Sequence, residues 1–284
     1  MPQREPAGAL TGPFAIPSLP IAVVKLGGSV LTRKRESEKL RPKVLARLAR
    51  EVAEVRTHRI VLLHGAGGFG HPGAVRFGLS LPPNGSASPT ERIRGAAIVS
   101  AEVRRLHLAV LRALVDAGAR PWSVPMATHA EQEEGRLAHI DLDPIDRALA
   151  GGFVPVSFGD VVPDRVWGSS ILSADTIAVE LAERLRPDRV VFVSDVPGVY
   201  SPGAAGRRHV VRELTDEVYS ALAPAPGAPD ATGGIRGKVA AMRAIARRGV
   251  NAGLISGLSD GALSRALRDD GSTDGSWARA ESSS

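Results

Sequence analysis

The chain has 284 residues, 43% apolar and 4% aromatic, with a net charge of +6 and no cysteine. That length can bury one sizeable core or two lobes sharing a sheet. The missing cysteine excludes a disulfide framework, a thiolate metal site and a thiol nucleophile, and the scarcity of aromatics argues against base-stacking nucleic-acid modules despite the basic balance.

Residues 1–20 hold five prolines and no periodicity, so a flexible tail is expected. Nothing in it resembles a signal-peptide core, and no later stretch reaches the roughly 18 apolar residues of a membrane span. A cytoplasmic protein with neither membrane nor nucleic-acid partner is the expectation. Ile21–Lys25 reads as a short strand running into the Gly27-Gly28 turn, and residues 41–56 as a helix with Val44, Leu45, Leu48, Val52 and Val55 on one face. Ile60–Leu63 reads as a second buried strand, ahead of His64-Gly-Ala-Gly-Gly-Phe-Gly-His-Pro72. The Pro/Gly/Ser stretch 81–89 is a loop, and 91–118 a long amphipathic helix stopped by Gly118. Strands follow at 122–124, 154–158, 189–193 and 252–255, and helices at 144–150, 176–185 and 238–248. Residues 271–284 decay into Asp, Gly and Ser and read as a disordered tail. The alternation of apolar strands with amphipathic helices predicts an α/β fold, a three-layer α/β/α sandwich over a mostly parallel sheet.

Gly65, Gly67 and Gly70 have the spacing of a dinucleotide-binding turn. That chemistry also needs an acidic residue ending the next strand about 20 residues on. Glu91 lies at that distance but opens a helix after a loop, so the context fails. The Gly-x-x-x-x-Gly-Lys-[Ser/Thr] phosphate loop is absent as well. What remains is a series of strand-end turns that couple glycine to charge: Lys25-Leu-Gly-Gly-Ser29, Gly65 to His71, Gly159-Asp160, Ser173-Ala-Asp175, Ser194-Asp195 and Thr232 to Lys238. In an open parallel sheet, ligands bind beyond the carboxyl ends of the strands, so these turns are expected to converge. Glycine lets backbone amides approach phosphate oxygens closely, and lysine supplies a compact charge. Only five of the 36 basic residues are lysine, at 25, 34, 39, 43 and 238, and three of those five lie in these motifs or beside them.

The blocks VVKLGGSVLTRK, HGAGGFGHP, VPVSFGDVV, ILSADTIAVELAERL, VVFVSDVPGVY and DATGGIRGKV follow the order and approximate spacing of the amino acid kinase superfamily. Within it, Gly-His-Pro and the Thr-Arg-Lys after Lys-Leu-Gly-Gly-Ser most resemble the isopentenyl phosphate kinases. The resemblance covers residues 21–268. It implies a single kinase domain over 21–270, with an acceptor lobe at 21–160 and a nucleotide lobe at 161–270, usually paired as a homodimer. It also implies ATP with Mg2+ carried on the nucleotide phosphates. The histidines at 58, 107, 129, 139 and 209 lack metal-ligand spacing, so no metal held by protein ligands is expected. Lys25 and Lys238 would neutralise the moving phosphoryl group, with Asp175 holding both lysines, and Lys34 would stabilise the transition state. Gly27, Gly28, Ala66, Asp195, Gly233 and Gly234 would belong to the ATP site, and Gly65, Gly70, His71 and Gly159 to the acceptor site. The chain departs from the pattern at Gly68, Ala174 and Pro197, and has GSTDGSWARA where Gly-Thr-x-Ile would stand.

The implied reaction is ATP-dependent phosphorylation of isopentenyl phosphate to isopentenyl diphosphate; a fosfomycin-type phosphonate kinase and a non-catalytic ligand sensor are the rivals. Phosphoryl transfer asks the protein mainly to align reactants and neutralise oxygens. A phosphate-monoester acceptor, with a second pKa of about 6, needs no strong base. His71 is therefore expected to clamp the acceptor phosphate, which would favour the charged imidazole. The alternative is a structural histidine at a helix start, with Pro72 in the first turn. Asp160 and Asp195 are expected either to meet a magnesium-bound water or to cap strand ends, and His64 to be structural.

Overall fold

The computed structural model describes residues 19–33, 39–83, 87–201, 209–222, 234–268 and 274–281. The first half of the chain runs β1 (Ile21–Leu26), α1 (Gly28–Leu31), α2 (Pro42–Ala53), β2 (Arg59–His64), α3 (Gly67–Arg76), α4 (Pro89–Asp116) and β3 (Pro121–Ser123). It continues through β4 (Ala130–Glu133), β5 (Arg136–Ile140), α5 (Asp143–Ala150), β6 (Val154–Phe158), β7 (Asp160–Asp164) and β8 (Gly168–Leu172). The second half holds α6 (Ala174–Leu185), β9 (Arg189–Ser194), β10 (Val199–Tyr200), β11 (Val210–Val211) and α7 (Asp216–Leu222). It ends with α8 (Ile235–Ala246), β12 (Asn251–Ser256), α9 (Ala262–Arg268) and β13 (Ser276–Ala278).

Seven strands form the central sheet in the order β13-β12-β9-β1-β2-β6-β3, parallel throughout except for β13. β1, β2, β9 and β12 are continuous apolar runs because helices cover both faces. On β1, Ala22, Val24 and Leu26 face α2, α4 and α9, whereas Val23 faces α5, α6 and α8. The two-residue period puts Lys25 on the α6 and α8 side, a charge among apolar neighbours. Pairing of Leu26 with His64 and Val193, and of His64 with Phe158, brings the carboxyl ends of β1, β2, β6 and β9 level.

The long helix α4 starts where its sequence asks. Ser88 Oγ accepts from the Glu91 amide, the Glu91 carboxylate accepts from the Ser88 amide, and Pro89 occupies the first turn.

Two features depart from the sequence reading. A second sheet, β5-β4-β7-β8, stands beside the main one. Its strands bury polar side chains, so apolar alternation does not mark them. Gln132, Asp164 and Ser170 are all buried, and Asp164 accepts from the amides of Glu134, Gly135, Val166 and Trp167 and from the Ser170 hydroxyl. The Glu134-Gly135 turn takes positive φ at both residues, which closes a tight hairpin.

The second departure is the expected C-terminal tail, which is corrected at residues 276–278. They form β13 antiparallel to β12, with Trp277 only 2% exposed, its ring against Gly253 and its indole N–H on the Asp274 carbonyl. One tryptophan buries enough apolar area to dock a segment whose composition is otherwise that of a tail. The expected N-terminal tail lies outside the described residues up to position 18, and Pro20 already accepts a bond from the Arg59 amide.

Candidate active site at the strand carboxyl ends

Beyond the level ends of β1, β2, β6 and β9 the glycine turns come together. The Gly27 amide donates to Val193 O at 2.7 Å, the Gly65 amide to Leu26 O at 2.9 Å and the Gly159 amide to His64 O at 3.1 Å. The backbones lie so close that a Cβ on Gly28 would stand 2.2 Å from the Gly67 nitrogen, and one on Gly65 2.9 Å from the Gly28 nitrogen. Glycine is required here because backbone packs on backbone.

Under these turns lies a buried charge cluster. Lys25 Nζ is 2.6 Å from Asp175 Oδ1, and Lys238 Nζ is 3.8 Å from Asp175 Oδ2. All three are less than a tenth exposed. Burial pushes the Asp175 carboxyl up, but Lys25 and Lys238 outweigh it and hold the group below its ordinary range. Asp175 stands in the first turn of α6, behind the Ser173 cap that accepts from the Thr176 amide, where a negative charge also suits the helix end. Lys238 stands one turn into α8. Asp195 follows β9, and its Oδ1 accepts from Ser29 Oγ at 2.7 Å, which ties the β9 turn to the β1 turn.

His71 is exposed in the second turn of α3. The helix begins at Gly67, so Pro72 lies inside it, and the reading of His71 as a helix-start residue is corrected. Ala66 is the N-cap and Gly70 packs α3 onto α4; a Cβ there would lie 2.6 Å from Val103. Gly234 caps α8, while Lys34 and Gly233 lie outside the described residues.

Asp160 does not meet the role of a water partner. Its side chain is fully buried, gripped by Arg104 at 3.0 and 3.2 Å and by the amides of Ala127 and Val161. Burial keeps its carboxyl above the usual range in spite of Arg104. No sequence signal pairs positions 104 and 160. The structure likewise joins His64 and His107, which lie 43 positions apart. His64 Nδ1–H donates to Gly65 O, His107 Nδ1–H donates to His64 Nε2 at 3.0 Å, and Ser123 Oγ–H donates to His107 Nε2 at 2.7 Å. This direction follows because a carbonyl can only accept. Burial holds both rings neutral, His64 down to about 3 and His107 to about 4. Phe158 stacks on His64. Among the described residues, no group of three histidines or carboxylates is arranged to hold a metal ion.

The arrangement can hold polyphosphate at the turns and neutralise charge as it moves. The amino acid kinase family profile matches residues 20–256. The isopentenyl phosphate kinase of Methanothermobacter thermautotrophicus is 32% identical over 86% of this chain and 94% of its own. That of Thermoplasma acidophilum is 35% identical over 78% and 84%. An X-ray structure of isopentenyl phosphate kinase superposes with a TM-score of 0.78 at 29% identity, covering 91% of this chain and 99% of the other. With its parallel sheet, its converging glycine turns and this likeness over most of its length, the chain belongs to the amino acid kinase family.

Proposed function

We propose that the chain transfers the γ-phosphoryl group of ATP to isopentenyl phosphate, giving isopentenyl diphosphate and ADP. The observation that carries the reading is the Lys25–Asp175–Lys238 cluster beneath the glycine turns. It is joined by the likeness, at 32% and 35% identity over most of the chain, to relatives named for this activity.

In this reading ATP lies on the 161–270 side. Gly27, Gly28, Ala66, Gly233 and Gly234 line its phosphates, and Asp195 completes the site. The acceptor lies on the 21–160 side, against Gly65, Gly70, His71 and Gly159. An anionic oxygen of the acceptor phosphate attacks the γ-phosphorus, that P–O bond forms, and the bond to the β,γ-bridging oxygen breaks with its electron pair leaving on ADP. Lys25 and Lys238 neutralise the oxygens in flight, Lys34 adds charge in the transition state, and Asp175 keeps the two buried lysines aimed. His71, exposed on α3, clamps the acceptor phosphate while two anions are pressed together.

Magnesium, when bound, rides on the ATP phosphates and lowers their charge; Asp195, fixed by Ser29, is the carboxylate suited to a water on it. The protein is read as a cytoplasmic homodimer. Leu108 and Val115 on α4 and Trp122 on the edge strand β3 are each more than half exposed, an apolar face suited to a second copy.

A coupled ADP-release assay tests the function across isopentenyl phosphate, dimethylallyl phosphate, fosfomycin and free amino acids. Isopentenyl phosphate is expected to have the highest kcat/KM. Turnover confined to fosfomycin or to an amino acid would overturn the acceptor assignment.

A further inference from the structure

Helix α3 lacks a cap of its own. Its N-cap residue is Ala66, which has no side-chain oxygen, yet the amide at the second helical position is satisfied. Gly68 N–H donates to Thr32 Oγ1 at 2.9 Å, from a residue 36 positions earlier in the chain. Thr32 is fully buried at the end of α1, and its hydroxyl donates to Gly28 O at 2.7 Å. The polarity of this hydroxyl is settled, since its proton must go to the carbonyl and its lone pair faces the amide. A Ser or Thr oxygen normally caps the amide two or three positions on in its own helix. Here the same bond is made across space, between the Gly28 turn and the start of α3.

The contact sits where the two backbones come nearest. Gly67 has φ of +52°, and a Cβ there would lie 2.4 Å from Thr32 Oγ1 and 2.6 Å from Gly28 O. Gly70 and His71 ride on α3, whereas Lys25, Gly27 and Gly28 belong to β1 and its turn. Thr32 is thus a side chain that bonds one group to the other. We infer that Thr32 is a positioning residue for phosphoryl transfer: its hydroxyl fixes α3 against the Gly27–Gly28 turn and so sets the distance between the two reacting phosphates. This rests on the reading of α3 as the acceptor side. In-line transfer is sensitive to that distance, a misplacement of about 1 Å costing on the order of 10²-fold. A loosened α3 would still let each substrate bind on its own side.

The test compares T32V, which keeps the shape and loses the hydroxyl, with T32S, which keeps the hydroxyl. T32V is expected to lower kcat about tenfold or more, with KM for ATP and for isopentenyl phosphate each within about threefold, and T32S to recover most of kcat. A T32V enzyme with wild-type kcat overturns the inference, as does T32S as slow as T32V, or a loss carried by KM alone. Amide exchange followed by NMR supplies a readout that needs no variant to fold. The Gly68 amide of the wild-type protein is expected to be protected, and exchange at the free-peptide rate overturns the inference. Absence of wild-type turnover of isopentenyl phosphate defeats the acceptor reading instead. The variant ratio is then measured with whichever phosphate or phosphonate acceptor the wild type uses.

Discussion

Lys25 and Asp175 meet at 2.6 Å across the boundary between the central sheet and the helix layer, 5% and 8% exposed. Lys238 approaches the other oxygen of the same carboxylate at 3.8 Å, so one anion holds two buried cations. Removing the shared anion leaves two buried ammonium groups without the carboxylate that holds both. D175N is therefore expected to lose stability by about 3 kcal/mol or more, along with activity. K25M leaves Lys238 paired with Asp175. Its thermal midpoint is expected to fall less than that of D175N, while kcat drops by about 10²–10³. Thermal unfolding and steady-state kinetics of the two variants check this, and a K25M enzyme within tenfold of wild type would contradict the role given to Lys25.

His71 is exposed on α3, so its replacement should leave the fold alone. H71Q is expected to stay within about 0.5 kcal/mol of wild-type stability. In the same enzyme, kcat/KM for the phosphate acceptor is expected to fall about 10²-fold or more, with KM for ATP unchanged. Near-normal turnover would remove the phosphate-clamp role.

The pair His64 and His107 makes stability depend on acid. Folded, burial holds His64 at about 3 and His107 at about 4, well below the ordinary 6.5. Between those values and 6.5 the unfolded chain binds more protons than the folded one. Stability is therefore full above about pH 6.5 and falls as pH drops through that window, by up to about 1.4 kcal/mol per pH unit for each ring. H107N keeps a donor for His64 and removes one titrating group, so the acid slope of urea-unfolding free energy is expected to be roughly halved. An unchanged slope would assign the acid sensitivity elsewhere.

Trp277 is buried on β13 and its ring covers Gly253. W277A is expected to cost about 3–5 kcal/mol. Removing residues 271–284 should be at least as harmful, although their composition is that of a dispensable end. A truncated chain with a wild-type melting temperature would show that β13 contributes nothing.

Much of this was readable in the residues. The apolar runs of β1, β2, β6, β9 and β12 declare strands buried on both faces, and the apolar stripe over 91–118 declares α4, although its first turn, with Ser88 and Pro89, falls in the stretch that composition reads as a loop. Lys25, Asp175 and Lys238 stand out because each is a charge beside glycine or a helix start. The second sheet was not readable, since Asp164, Gln132 and Ser170 turn inward and break the apolar alternation. Pairings such as Arg104 with Asp160, His64 with His107 and Thr32 with Gly68 are set by tertiary packing over 36 to 56 positions, beyond any local period.

The sheet order also sets a timetable. β1 lies between β2, which follows it closely in the chain, and β9, which begins only at Arg189. On the ribosome, at about 5–20 residues per second, β1 waits on the order of ten seconds or more for its second neighbour. During that wait one flank of an apolar strand is open, and Lys25 has yet to meet Asp175. A charge next to the last residue of that run makes the unpaired strand less adhesive than an uninterrupted apolar strand would be.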